Sequence, residues 1–246
     1  MSAERNVTRT KPKKVLMVVS NPAVSTTLGV PVGFWASELW HAYHEFREAG
    51  FEVEVRSPKG GRCEYDALSD PRDASRYSAE DVLSLGYITH PEYSKIPQNT
   101  ESLDGARAED YDAIVVAGGQ GPMFTFQSEP TLHRLIYEFY RAEKPTAALC
   151  HGVSALLYVR DESGGPLIAG KTMTGFANSE EDYADSVVGK KVMPFRIEDE
   201  AKKLGANFVT AGRFRPFAIR DGRLITGQQQ YSGKKTAQLV IEALGV

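Results

Sequence analysis

The stretch PTAALCHGVSALL, residues 145–157, is an apolar run that stops abruptly at Cys150 and His151, after which Gly152 lets the chain turn. A short continuous apolar run of this kind reads as a buried strand of a parallel sheet, and the apolar spacing beyond the glycine reads as the start of a helix. Strand turning directly into helix is the repeating unit of a doubly wound α/β fold. The question is whether the sulfur at that turn is packing or chemistry.

The same unit recurs on both sides. KKVLMVVSN (13–21) is an aliphatic run bounded by polar residues, and FWASELWHAYHEFREA (34–49) puts Trp35, Leu39, Ala42, Phe46 and Ala49 on one helical stripe that Gly50 ends. FEVEVRSP (51–58) follows at once as a second strand, which makes a right-handed β-α-β unit. YDAIVVAGGQG (111–121) is another buried strand ending in a glycine turn, and EPTLHRLIYEFYRAEK (129–144) carries Leu132, Leu135, Ile136 and Phe139 at helical spacing. Further on, GKTMTG and NFVTA read as strands, SEEDYADSVV as a helix capped by Ser179, FAIRDGRLITG as a hairpin turning at Asp221-Gly222, and YSGKKTAQLVIEALG as a closing amphipathic helix. Between them, residues 60–109 are rich in Asp, Ser, Pro and Tyr and weakly periodic, with one short helix around SAEDVLSLG. These features predict one α/β domain over 1–246: a mostly parallel sheet with helices on both faces, and residues 60–109 inserted as a cap lying over it.

The bulk properties set limits. With 246 residues, 41% hydrophobic, the chain can bury a substantial core. A net charge of -3, and no basic cluster beyond TRTKPKK (8–14), read as a solvated tail, give no reason to expect nucleic acid. No signal peptide or membrane-length apolar run is evident, so the expectation is a soluble cytoplasmic protein. Cys63 and Cys150 form neither a CxxC pair nor a disulfide framework. His41 and His44 share a helix face without further ligands, and GGQG lacks the P-loop and dinucleotide patterns, so neither metal nor cofactor is expected.

In an open α/β sheet, ligands gather at the carboxyl ends of strands, and both VVAGGQG and LCHG end there. A residue at a sharp strand-to-helix junction projects into that crevice, with amides of the following turn aimed at a developing oxyanion. Cys150 holds that position, where a helix start favours thiolate; the other reading is a small buried cysteine filling a strand end. His151 either bends back to the sulfur or serves through its backbone N–H while its ring bonds a carboxylate elsewhere. Glu38, on the flank of the apolar stripe, reads by periodicity as a surface acid, although partial burial would raise its pKa into a range suited to proton transfer. Glu180 and Glu181 read as ordinary first-turn acids.

Taken in order, GFWASELWHAYHEFREAGFEVEVRSPKGG, YDAIVVAGGQGPMF, AALCHGVSALL, PLIAGKTMTGF with the acids after it, and DGRLITGQQQYS resemble the DJ-1/PfpI superfamily, and within it the Hsp31-like branch of glutathione-independent glyoxalase III. The resemblance covers nearly the whole chain. It implies a flavodoxin-like or class I glutamine amidotransferase-like fold and a homodimer. It places the nucleophile at Cys150, its neighbouring histidine at His151, the helix glutamate at Glu38 and the triad carboxylate at Glu181, with the amides of Gly119 and His151 as the oxyanion site. Gln120 stands where relatives often carry a histidine in GGHG, and glutamine donates a hydrogen bond but does not titrate. Gly152-Val153 replaces a common Gly-Pro. Trp35, Trp40, Tyr65 and Phe124 are candidates to line a narrow pocket.

The implied activity is conversion of a small 2-oxoaldehyde to a 2-hydroxy acid without glutathione or cofactor, through a Cys150 hemithioacetal with Glu38 relaying the proton. A stress chaperone or redox sensor using the same cysteine is the alternative, followed by a cysteine amidase, a peptidase or a hydratase of another small electrophile. A glutamine amidotransferase is disfavoured, since it needs a histidine downstream of the elbow and the histidines are His41, His44, His90, His133 and His151.

Overall fold

The computed structural model describes residues 11–246. Strand β1 (Lys14–Val18) leads through a small hairpin, β2 (Ala23–Val24) and β3 (Pro31–Val32), into helix α1 (Ala36–Glu48). Next come β4 (Glu52–Ser57), β5 (Lys59–Gly61), α2 (Val82–Thr89) and β6 (Thr100–Ser102), then β7 (Ala113–Val116), α3 (Pro122–Thr125), α4 (Pro130–Arg141) and β8 (Thr146–Leu149). The remainder is β9 (Thr172–Met173), α5 (Asn178–Val188), α6 (Ile197–Lys203), β10 (Asn207–Phe208), the hairpin β11 (Ala218–Asp221) and β12 (Leu224–Gly227), and α7 (Gly233–Ala243).

Eight strands form one sheet in the order β11-β12-β8-β7-β1-β4-β6-β5. The six strands from β12 to β6 run parallel, and only the two edge strands, β11 and β5, pair antiparallel. Side-chain alternation along each strand divides the core between the two faces. Leu16, Val18, Ile114, Val116 and Ala148 pack with Leu132, Leu135, Ile136 and Phe139 of α4, whereas Val15, Met17, Val115, Ala147 and Leu149 pack with Trp40 and Phe46 of α1 and Val240 of α7. Burial of each large apolar side chain contributes roughly 1.5–3 kcal/mol, so the sheet is held from both sides. The chain runs from β1 to β4 on one side and returns to β7 on the other, which makes the carboxyl ends of β1 and β7 a topological switch point.

Several sequence expectations need correction. The segment after Cys150 is a 3₁₀ helix over Cys150–Tyr158, not an α-helix. β9 and β10 pair only with each other, outside the main sheet. The N-cap of α5 is Ala177, which offers no side-chain acceptor, and Ser179 lies inside the helix; the Glu180 carboxylate reaches back to accept the Ala177 N–H (2.9 Å). Part of the 60–109 segment does not lie over the sheet, because β6 and the β5 strand that begins at Lys59 extend its edge. Of the basic run at 8–14, residues 8–10 lie outside the described residues, while Lys13 pairs with Asp112 and Lys14 with Glu54. Those two lysines belong to the fold and not to a tail. His41 and His44 tie α1 to the cap segment through Asp81 (2.8 Å) and the Tyr87 hydroxyl (3.1 Å).

Candidate active site

Cys150 follows the last residue of β8 and adopts φ +55°, a left-handed conformation that costs a non-glycine residue about 1–3 kcal/mol. That turn takes the side chain out of the strand direction, beside His151 and Glu38. The sulfur is buried, 3.7 Å from His151 Nδ1. Its surroundings overturn the expectation that a helix start makes it a ready thiolate. Burial above all, and then the negative charge and hydrogen bonding of Glu38, push the thiol well above its ordinary range, against the pull of the His151 and Gly119 amides.

Glu38 is fully buried on the first turn of α1, not at the surface as periodicity alone suggested. Its Oε2 accepts the Gly118 N–H at 2.7 Å, while Oε1 has no well-formed hydrogen bond although the Cys150 thiol lies beside it. Burial raises its carboxyl to about 8; the thiol and the Gly118 amide oppose the rise, and the Asp66 carboxylate adds to it. Glu38 therefore carries a proton at neutral pH. A protonated Glu38 removes the charge that most hinders the neighbouring thiolate and offers the sulfur a donor.

The loop after β7 can approach this closely only because it lacks side chains. A Cβ on Gly118 would stand 2.7 Å from the His151 nitrogen and 2.9 Å from Glu38 Oε2. Gly119 sits at φ +100°, and a Cβ there would meet the Trp35 nitrogen at 2.5 Å. Its N–H and that of His151 both lie against the Cys150 sulfur and favour its charged form.

His151 Nε2 lies 3.1 Å from Glu181 Oε1, and its ring stacks on Phe176 with centroids 4.1 Å apart. The ring serves both sides: its Nδ1 lies 3.7 Å from the Cys150 sulfur, and its Nε2 is held by the Glu181 carboxylate. Glu180, next to Glu181, points elsewhere. Besides capping α5, its Oε1 accepts the Phe214 N–H and the Gln228 side-chain amide, each at 2.9 Å. One of two adjacent acids therefore holds the His151 ring, and the other ties three segments together.

The sequence reading missed Asp66. It lies in the weakly periodic cap segment with no motif around it, yet it is buried and its carboxylate accepts the N–H groups of Gly33 (2.9 Å) and Gln120. Phe176 was missed for a similar reason, since one aromatic residue in a loop carries no pattern. Of the four aromatic candidates for the pocket, Trp35 adjoins the glycine loop, donating its N–H to Gly118 O (3.1 Å). Trp40 is core: it stacks on Tyr87 and donates its indole N–H to the Tyr65 hydroxyl. Phe124 packs against the α4-side core. The side-chain amide oxygen of Gln120, Oε1, has no hydrogen-bond partner among the described residues.

Among the described residues, no group of three or more His, Cys, Asp and Glu side chains is arranged to hold a metal, and no helix is long and apolar enough to cross a membrane. Two open surface cavities, about 470 and 510 Å³, lie around Arg62, Tyr65 and Arg72 and around Tyr140, Lys171 and Arg223. Neither is lined by Cys150. Covalent geometry and charge, not cavity size, mark the site.

Residues 27–243 match the DJ-1/PfpI family model. The glutathione-independent glyoxalase HSP31 of Saccharomyces cerevisiae is 30% identical over 243 residues, covering 95% of this chain and 98% of that protein. The crystal structure of glyoxalase III from Candida albicans superposes with a TM-score of 0.78 at 27% identity, covering 94% of this chain and 97% of that one. The Rapid Encystment Protein 24 kDa of Francisella tularensis superposes with a TM-score of 0.85 at 30% identity, over 94% and 99% of the two chains.

Proposed function

The chain belongs to the DJ-1/PfpI family, and from that premise we propose that it is a glutathione-independent glyoxalase, converting methylglyoxal or a related 2-oxoaldehyde to the 2-hydroxy acid. The observation that carries the reading is a buried thiol beside a buried carboxyl that is fixed by the Gly118 N–H at 2.7 Å, next to a histidine held by Glu181. Full-length similarity to proteins named glyoxalases supports the substrate class.

The proposed steps use this arrangement. From the form in which the Cys150–Glu38 pair holds a single proton, on Glu38, the Cys150 thiolate adds to the aldehyde carbon, and the oxygen that gains charge, held by the Gly119 and His151 amides, takes that proton. Glu38, now a carboxylate, removes the hydrogen from the former aldehyde carbon and passes it to the ketone oxygen, giving an enediol; it then takes the hydroxyl proton of the former aldehyde oxygen and delivers it to the neighbouring carbon. The product is a thioester of the 2-hydroxy acid. Water hydrolyses it, freeing the sulfur and restoring the proton count, so that one aldehyde and one water give one hydroxy acid. In this reading His151, held by Glu181, assists that water. A site in which Cys150 is 2% exposed suits a small electrophile better than a peptide.

The test is Glu38→Gln, which keeps shape and loses the base. Turnover is expected to fall by about 10²–10⁴-fold, the range for a positioned proton-transfer group. Full turnover in this variant removes Glu38 from the mechanism.

A further inference from the structure

Three consecutive amides, those of Gly118, Gly119 and Gln120, line the end of β7, and buried carboxylates hold the outer two. Gly118 N–H donates to Glu38 and Gln120 N–H to Asp66, while Gly119 N–H finds no oxygen acceptor among the described residues and faces the Cys150 sulfur. With both flanking peptides pinned, the middle amide has one direction left. We propose that Asp66 is a positioning residue that sets the Gly119 N–H as an oxyanion donor and so links the cap segment to the chemistry. The proposal rests on the glyoxalase reading for its kinetic readout and on geometry for the rest.

The surrounding backbone fits this role. Asp66 also accepts the Gly33 N–H, Gly121 N–H donates to Gly33 O (2.7 Å), and Trp35 N–H donates to Gly118 O. The cap segment is joined to the same segment by Phe34 N–H to Glu64 O (3.0 Å) and Asp66 N–H to Phe34 O (2.8 Å). Asp66 is thus the side chain at the meeting of three loops: the one before α1, the cap, and the glycine loop. Two carboxylate oxygens matched to two N–H donors leave neither of those buried donors unpaired.

The discriminating variant is Asp66→Asn. It has nearly the same shape but only one oxygen acceptor, so an NH₂ group must face one of the two N–H donors. The expected result with methylglyoxal is a fall in kcat of about 10²-fold with KM nearly unchanged, because an oxyanion donor acts on the transition state. Deuterium exchange in the peptide containing residues 117–121 should quicken severalfold. A purely structural role would lower melting temperature without changing kcat per folded molecule. Wild-type kcat in Asp66→Asn overturns the proposal, as does a loss of kcat with unchanged exchange in 117–121. Should Asp66→Asn fail to fold, Asp66→Ser, smaller and able to accept from one amide, is read by the same two measurements. A wild-type protein that folds but leaves methylglyoxal unconverted refutes the glyoxalase reading alone, and the exchange comparison then decides the placement of the loop.

Discussion

Glu38 shows how one atom's surroundings outrank a residue's place in a pattern. On a helical wheel it flanks the apolar stripe and passes for a surface acid; in the fold, the glycine loop and the elbow close over it and leave it without water. A carboxyl raised from 4.5 to about 8 keeps in the folded chain a proton that the unfolded chain releases. Its contribution therefore makes stability decline as pH rises from about 4.5 to about 8. Asp66, raised to about 6, acts with the same sign between about 3.8 and 6 in wild type and variant alike. Thermal melts from pH 5 to 8 should thus show Glu38→Gln gaining on the wild type as pH rises. A constant difference across that range would mean that Glu38 does not carry the proton assigned to it. Cys150 was legible from its place between an apolar run and a glycine. Asp66 was not, because a buried carboxylate in an irregular segment has neither periodicity nor motif, and its partners are backbone amides that any residue supplies.

At the scale of elements, the long apolar runs were readable because strands buried on both faces need no alternation, and β1, β7, β8 and β12 all follow runs of this kind. The two short strands at the sheet edge were lost in the cap, where Lys59–Gly61 includes two glycines and Thr100–Ser102 is polar. Their pairing is set by neighbours distant in sequence. The start of α5 divides two adjacent acids between different tasks, and a pair of variants separates them. Glu180→Ala leaves the Ala177, Phe214 and Gln228 donors without their acceptor and is expected to cost about 3 kcal/mol, read by urea unfolding. Glu181→Gln keeps a hydrogen-bonding oxygen toward His151 but loses the charge, and is expected to cost little stability and at least about 10-fold in kcat. The reverse pattern would show that the two assignments are exchanged.

At the scale of the whole molecule, the candidate site draws on both sides of the sheet. Glu38 comes from the α1 side, Cys150 and His151 from the end of β8, Glu181 from α5, Gly119 from the β7 loop and Asp66 from the cap. No local stretch contains the site. Its order along the chain was still visible, because an α/β fold delivers strand ends to one edge whatever lies between them. The central claim is that this assembly performs a glyoxalase reaction through the Cys150 sulfur. The measurement that bears on it most directly is lactate formation from methylglyoxal by the purified protein, without glutathione and with a chelator present, in wild type and Cys150→Ala. The account predicts lactate from the wild type and none above the uncatalysed rate from the variant. Equal lactate from both, or none from a well-folded wild type, would contradict it.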